Sequence, residues 1–262
     1  MTMTDDAPET QVAAGSFTWM PHVEGAPPAY QRWPNTLYDV AEVRDTQGRD
    51  PSGSTWPVVC HKDYKTYELD CTAAQVDKTT FLTGEEWSVA LPPHVIYAGD
   101  RCAPVGRTEA EAVARAENLL SLIEPYAVAQ EIVEPWLIAN APSPVQAVTD
   151  VYVALGLLEC RARDSASIGS IMLTPLTASI VSDRLERQGD RLFTTLGTPV
   201  WLGPCTEDTE YGFAMGPIVV ERGRVETLVG FNRQRNDRVV IAERTVVVTL
   251  SCNTAKIAIP LT

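Results

Sequence analysis

The alternation of apolar and polar positions divides the chain into a polar opening, a stretch of short strands, a helical centre and a β-rich close. Residues 1–35 sustain neither a period of 2 nor one of 3.6. Pro, Gly and Thr dominate there, and the aromatics Phe17, Trp19, Tyr30 and Trp33 stand alone. Such a segment is either a disordered tail or an extended arm whose solitary tryptophans, Trp19 and Trp33, anchor it to neighbours. Between 36 and 106 the pattern predicts strands and loops. Strands fall at 37–43, at 56–60 and 66–71 as a hairpin, at 87–91 and at 95–98, with a polar loop over 44–55.

Helical spacing begins at Thr108. Thr108 and Glu111 have the spacing of a capping box, and Val113, Ala116, Leu120, Ile123 and Ala127 follow as an apolar stripe. Pro125 ends or kinks this helix, because it lacks an N–H and crowds the preceding turn, and 126–134 continues it as a second segment. A second helix is predicted over 144–162, with Pro144 at its first position and Val148, Val151, Leu155 and Leu158 on one face. A strand over 168–173 leads to a third helix, punctuated by Thr174 as N-cap, Pro175 at N1 and Gly189 as the stop, with Leu176, Ile180 and Leu185 inward. The remainder is β: 199–202, 218–220, 225–229, 239–250 and 256–259. The class is α+β, with helices in the middle and strands at both ends.

Composition narrows the function. A chain of 262 residues is long enough to bury a core without disulfides or metal. Its formal charge of −13 argues against gripping nucleic acid, which needs cations to meet phosphates, although it suits a protein that encloses nucleic acid without adhering to it. The opening residues have no basic and apolar signal pattern. The charge-free stretch 165–182 is too rich in Ser, Thr, Gly and Pro to span a membrane, so a soluble, intracellular chain is expected. Cys60, Cys71, Cys102, Cys160, Cys205 and Cys252 contain no C-x-x-C pair. They read as buried free thiols, with a Cys60–Cys71 bridge across the predicted hairpin as the alternative.

No catalytic constellation emerges. Phosphate-binding glycine loops, a nucleophile elbow and H-E-x-x-H are all missing, and His22, His61 and His94 are the only histidines. Cys60, His61, Cys71, His94 and Cys102 are metal-ligand types without a zinc spacing. Glu85 and Glu86 are sequence neighbours that point apart in a strand, unlike a paired acid and base. The expectation is no catalytic residue, no cofactor and no metal. Arginines gather near the end, at 222, 224, 233, 235, 238 and 244, interleaved with Glu221, Glu226, Asp237 and Glu243. They form a solvated face of hairpins, an electrostatic contact surface or, as the remaining alternative, a nucleic-acid contact.

Three segments carry a resemblance: IGSIMLTPLTASIVSDRLERQGDRLF at 168–193, LGTPVWLGPCTED at 196–208, and YGFAMGPIVVERGRVETLVGFNRQRNDRVVIAERTVVVTLSCNTAKIAI at 211–259. Together with the order of elements they resemble the phage major capsid proteins of the Hong Kong 97 fold, the fold that encapsulins share. The resemblance implies an N-terminal arm at 1–35 and an extended loop with flanking strands at 36–106. It implies a peripheral domain with a spine helix at 107–140 and 224–262, and an axial domain at 141–223. It implies self-assembly into hexamers and pentamers of an icosahedral phage head around double-stranded DNA, with no sequence-specific DNA contact and no membrane. The loop at 232–237, with Arg233, Arg235 and Asp237, and the adjoining Arg238 would approach neighbouring subunits. The short segment before the extended loop leaves no room for a fused scaffold, so scaffolding and portal proteins are expected to be separate. Pro125 departs from the family's spine helix. The competing readings are an encapsulin shell, another virion part such as a tail or connector subunit, and an enzyme without a familiar motif.

Overall fold

Strand β13 (Asp237–Leu250) organises the larger half of the molecule. The structure, a computed structural model, describes residues 32–46, 51–58, 86–102, 108–142, 148–163, 168–204, 211–232, 237–251 and 255–259. Along one edge of β13 run β12 (Glu226–Asn232) and then β11 (Ile218–Arg222), both antiparallel to it. Along the other run β5 (His94–Cys102) and β4 (Val89–Ala90). Strand β1 (Glu42–Asp45) joins β11 in parallel. Alternation explains the first half of β13: Val240 and Ala242 are buried, as are Ala98, opposite Ala242 on β5, and Ile96, opposite Arg244. Its last five residues, Val246 to Leu250, are buried on both faces, as a run that is apolar except for Thr249 suits.

Helix α2 (Glu109–Val128) covers the face of this sheet that carries Val240 and Ala242. Thr108 starts it as expected: its Oγ1 accepts from Glu111 N–H at 3.2 Å, and Glu111 Oε2 accepts from Thr108 N–H at 2.9 Å. The buried line is Ala112, Ala116, Leu120, Glu124 and Val128; it shares Ala116 and Leu120 with the predicted stripe, but Ile123 is exposed, and Val113 and Ala127 are half-buried. Small alanines let the helix lie close to the sheet, and the inward line runs through a charged residue that an apolar pattern skips. Pro125 does not end the helix. The chain continues to Val128 and widens into a π-helical turn at Ala129–Val133, where Glu134 N–H bonds Ala129 C=O. It then resumes as α3 (Glu134–Asn140).

The second sheet has the order β14, β10, β6, β9, β8, β7, formed by Ala255–Ala258, Tyr211–Met215, Ser170–Leu173, Pro199–Leu202, Arg191–Thr194 and Leu185–Gln188. Both of its faces are buried at the centre. Ile171, Leu173, Val200 and Ala214 pack with Ala154, Leu155 and Leu158 of α4 (Val151–Ala162). Met172, Trp201, Phe213 and Met215 join the core of the first sheet.

Several expectations change here. Residues 37–43 are not one strand. Thr36 and Asp39 close a reciprocal cap, with Thr36 N–H on Asp39 Oδ2 at 2.7 Å, so Leu37–Val40 forms a helical turn, α1, before β1. Of the predicted hairpin, residues 57–58 form β2 (Pro57–Val58) and pair with β3 (Glu86–Trp87), while 66–71 lies outside the described residues. Ser88 interrupts the predicted 87–91 strand, because its hydroxyl accepts from Trp56 N–H at 2.9 Å. Helix α4 starts at Val151, where Asp150 Oδ1 accepts from Tyr152 and Val153 N–H; 143–147 lies outside the described residues.

The third helix starts as read, with Thr174 Oγ1 accepting from Thr177 N–H at 3.1 Å, but α5 is only Pro175–Ile180. Gly189, at φ +64°, turns the β7–β8 hairpin instead of stopping a helix. A Gly-Asp pair between two alternating runs is a hairpin signal, and it outweighs the helical spacing of Leu176, Ile180 and Leu185; Leu176 and Ile180 are exposed. The predicted C-terminal strands 199–202, 218–220, 225–229, 239–250 and 256–259 are present with ends shifted by a few residues, whereas β10 (Tyr211–Met215), central in the second sheet, is not among them.

Candidate functional site

Among the described residues no three His, Cys, Asp or Glu side chains come together as metal ligands. Of the ligand types singled out in the sequence, His94 and Cys102 sit at opposite ends of β5, and the His94 ring contacts Pro92 C=O at 2.7 Å. Cys60, His61, Cys71 and Glu85 lie outside the described residues, as do Cys205 and Cys252. Cys160 is a free thiol and is exposed on α4, against the expectation that it is buried, because it falls on the outward side of that helix.

The strongest polar cluster joins four distant parts of the chain. Glu124 of α2 is 1% exposed. Its carboxylate accepts from Tyr38 Oη at 2.7 Å, from Arg244 Nη1 at 3.0 Å and from Arg222 Nη1 at 3.5 Å. Arg222 also forks onto Asp45, with Nε and Nη2 at 2.9 and 3.0 Å, and lies 5.6 Å from the Tyr38 ring centroid. Burial, then the charge and hydrogen bond of Glu124, push the Tyr38 hydroxyl up, so it stays a protonated donor. Two guanidinium groups face the buried Glu124 carboxylate, and the exposed Asp45 balances Arg222 from the surface. The cluster ties α1 and β1 to α2, β11 and β13. It has no cleft of paired acid and base, and its chemistry is that of a structural lock. The sequence pattern missed Glu124 and Tyr38. The available signal was an acid four residues from Leu120 and Val128 on an otherwise apolar helix line.

The predicted contact residues are dispersed. Trp33 is 82% exposed. Asp237 pairs with Arg101, whose Nε donates at 2.6 Å, and Arg238 lies 3.8 Å from Glu109, so both are tied within the chain. Trp19, Arg233 and Arg235 lie outside the described residues. The arginine-rich close thus splits: Arg222 and Arg244 enter the buried lock, while Arg224 pairs at the surface with Glu226.

The face of the first sheet turned away from α2 carries exposed apolar side chains. Val95, Tyr97 and Leu228 lie beside Thr245, Glu243 and Ile241 of β13, with β12 as an edge strand. Exposed apolar side chains beside an open strand edge are area that a partner surface can cover.

No protein-family model and no curated protein sequence matches the chain. Solved structures do. The capsid of an empty GTA particle, computed with C5 symmetry, aligns with a TM-score of 0.55 at 14% identity over 95% of this chain and 97% of that one. A chain of Mycobacterium phage Che8 aligns at 0.52 and 12% over 93% and 98%. The holo-SrpI encapsulin complex from Synechococcus elongatus PCC 7942 aligns at 0.50 and 11% over 85% and 86%. At such identities the likeness is one of fold, and the chain has the α+β Hong Kong 97 capsid fold.

Proposed function

We propose that this protein is the major capsid subunit of a phage-like particle, assembling into hexamers and pentamers of an icosahedral head that encloses double-stranded DNA. The observation that carries this reading is end-to-end likeness to a capsid chain: 95% of this chain aligns with 97% of that of the GTA capsid. Its work is assembly, and no chemistry is assigned to it. Complementary surfaces close under symmetry. The exposed face bearing Val95, Tyr97 and Leu228 and the exposed Trp33 supply apolar contact area, and Arg233, Arg235, Asp237 and Arg238 supply charged contacts to neighbouring subunits. The sheet organised by β13, with α2, corresponds to the peripheral domain, and the sheet containing β6 and β10 to the axial domain, with β14 returning to the latter. A net charge of −13 keeps the wall from adhering to packed DNA. Scaffolding and portal functions belong to separate proteins, and the mature location is the virion. Among the described residues no helix is long and apolar enough to cross a membrane.

The likeness to an encapsulin supports a second reading, a protein compartment of the same fold. Particle contents separate the two. Nuclease-protected DNA in particles purified from the native source supports the capsid reading, and a protein cargo without DNA refutes it in favour of the compartment.

A further inference from the structure

Residues 51–56 cross the face of the first sheet that is turned away from α2. Pro51 is buried over Gly223, its Cδ 3.2 Å from the point that a Cβ at Gly223 would occupy. Gly53 dips closest to the sheet. Its φ is +78°, and a Cβ there would meet Ala90 Cβ at 2.9 Å and Val247 Cγ1 at 3.0 Å, so only glycine fits. Ser54 Oγ donates to Glu221 Oε1. At the far end Trp56 N–H bonds Ser88 Oγ at 2.9 Å, and Ser88 N–H bonds Trp56 C=O at 3.0 Å. Strand β2 follows directly and pairs with β3, so this segment holds both ends of the 59–85 connection at the sheet.

What lies beneath is poorly suited to permanent burial. Glu221 follows the apolar run Ile218–Val220 of β11, stands opposite Val247 in the register and is 4% exposed. Among the described residues it forms no ion pair and accepts one hydrogen bond, from Ser54; Arg44, beside it on β1, is engaged by Glu42 at 2.8 Å. Thr249 is fully buried, and its hydroxyl has no hydrogen-bond partner among the described residues. Burying a carboxylate under one neutral donor costs free energy, and so does an unpaired hydroxyl. Lifting the cover removes both costs. The sheet below keeps its ladder, because β11 and β4 pair with β13 without help from the cover. A segment held by few contacts opens more readily than the fold it sits on.

We propose that residues 51–56 form a releasable strap, fastened by the Ser54–Glu221 contact, whose opening uncovers Glu221 and unties the β2–β3 pair while the first sheet stays folded. The device belongs to the single subunit and does not rest on the shell reading. Gly53 and Ser54 are positioning residues in it, and the buried charge of Glu221 sets how readily it opens.

The test is hydrogen exchange, read by mass spectrometry on the full-length, unassembled chain. Peptides covering 51–58 and 86–88 report the strap, and the peptide covering 237–250 reports the sheet. Gly53→Ala and Ser54→Ala should each speed exchange of the strap peptides roughly tenfold or more and leave 237–250 unchanged. Glu221→Gln keeps an acceptor for Ser54 and removes the buried charge, so it should slow exchange of the same peptides several-fold. A residue that only fills space would not move exchange in the direction opposite to its partner. Wild-type exchange in both Gly53→Ala and Ser54→Ala overturns the catch. Acceleration of 237–250 in step with the strap shows that the segment opens only with the whole fold, which overturns its independence. Faster exchange in Glu221→Gln shows that the charge fastens the segment down, which also overturns the proposal.

Discussion

Replacing Glu124 by Gln keeps the shape of the side chain and removes its charge, so it isolates what the buried carboxylate does. Arg222 retains its fork onto Asp45 at 2.9 and 3.0 Å and remains paired. Arg244 is different. Its Nη1 bonds both oxygens of Glu124, at 3.0 and 3.4 Å, its side chain is 17% exposed, and its Nε has no hydrogen-bond partner among the described residues. The variant therefore leaves a largely buried guanidinium facing a neutral amide. Breaking a buried pair from one side costs about 3–5 kcal/mol. The amide oxygen can still accept one of the bonds from Tyr38 or Arg244, which places the expected loss near the lower bound, about 3 kcal/mol. With a urea m-value of about 2–3 kcal/mol/M, the midpoint of the unassembled subunit should fall by about 1–1.5 M at constant m. Pairing the substitution with Arg244→Met should recover a large part of the loss, because the orphaned charge leaves with it. A loss below about 1 kcal/mol, or no recovery in the double variant, would refute the description of Glu124 as a lock on Arg244.

Thr108→Ala should cost about 1 kcal/mol in the same urea titration, since it frees the Glu111 N–H and opens the capping box of α2. Tyr38 gives a pH signature. Its folded pKa lies above the ordinary 10.0, so the stability it contributes is complete below about pH 10 and is lost as pH rises beyond that. In melts at about pH 9 and 11, Tyr38→Phe should show a shallower alkaline decline, by up to about 1.4 kcal/mol per pH unit, and an unchanged slope would count against the buried phenol.

Local signals were the legible ones. The cap at Thr108, the cap and proline at Thr174 and Pro175, and the alternation through 239–250 each depend on a few neighbouring residues, and each lies where the sequence puts it. Where two local signals competed, the pattern erred. The spacing of Leu176, Ile180 and Leu185 suggested a helix, but the turn at Gly189 and Asp190 made strands of 185–194. Thr36 and Asp39 likewise overrode an apparent alternation at 37–43. The Glu124 lock was beyond such reading, because it depends on strand register. Arg222 is opposite Val246 on β13 and Arg244 opposite Ile96 on β5, and only those pairings bring both arginines under the α2 line with Tyr38 from a segment 86 residues earlier. The exposed positions of α4 were hidden for a related reason: Val153 and Leu157 look like core residues until the sheet shows which side of the helix is inside.

Cryo-electron microscopy of the full-length chain, expressed alone or with its scaffold and purified under native conditions, tests the shell assignment most directly. The account predicts closed particles whose reconstruction shows five-fold vertices built from this fold, with six-fold rings between them if the shell is larger than sixty subunits, about the minimum for icosahedral closure. Tubes, isolated rings or a monodisperse monomer under all of these conditions would contradict it.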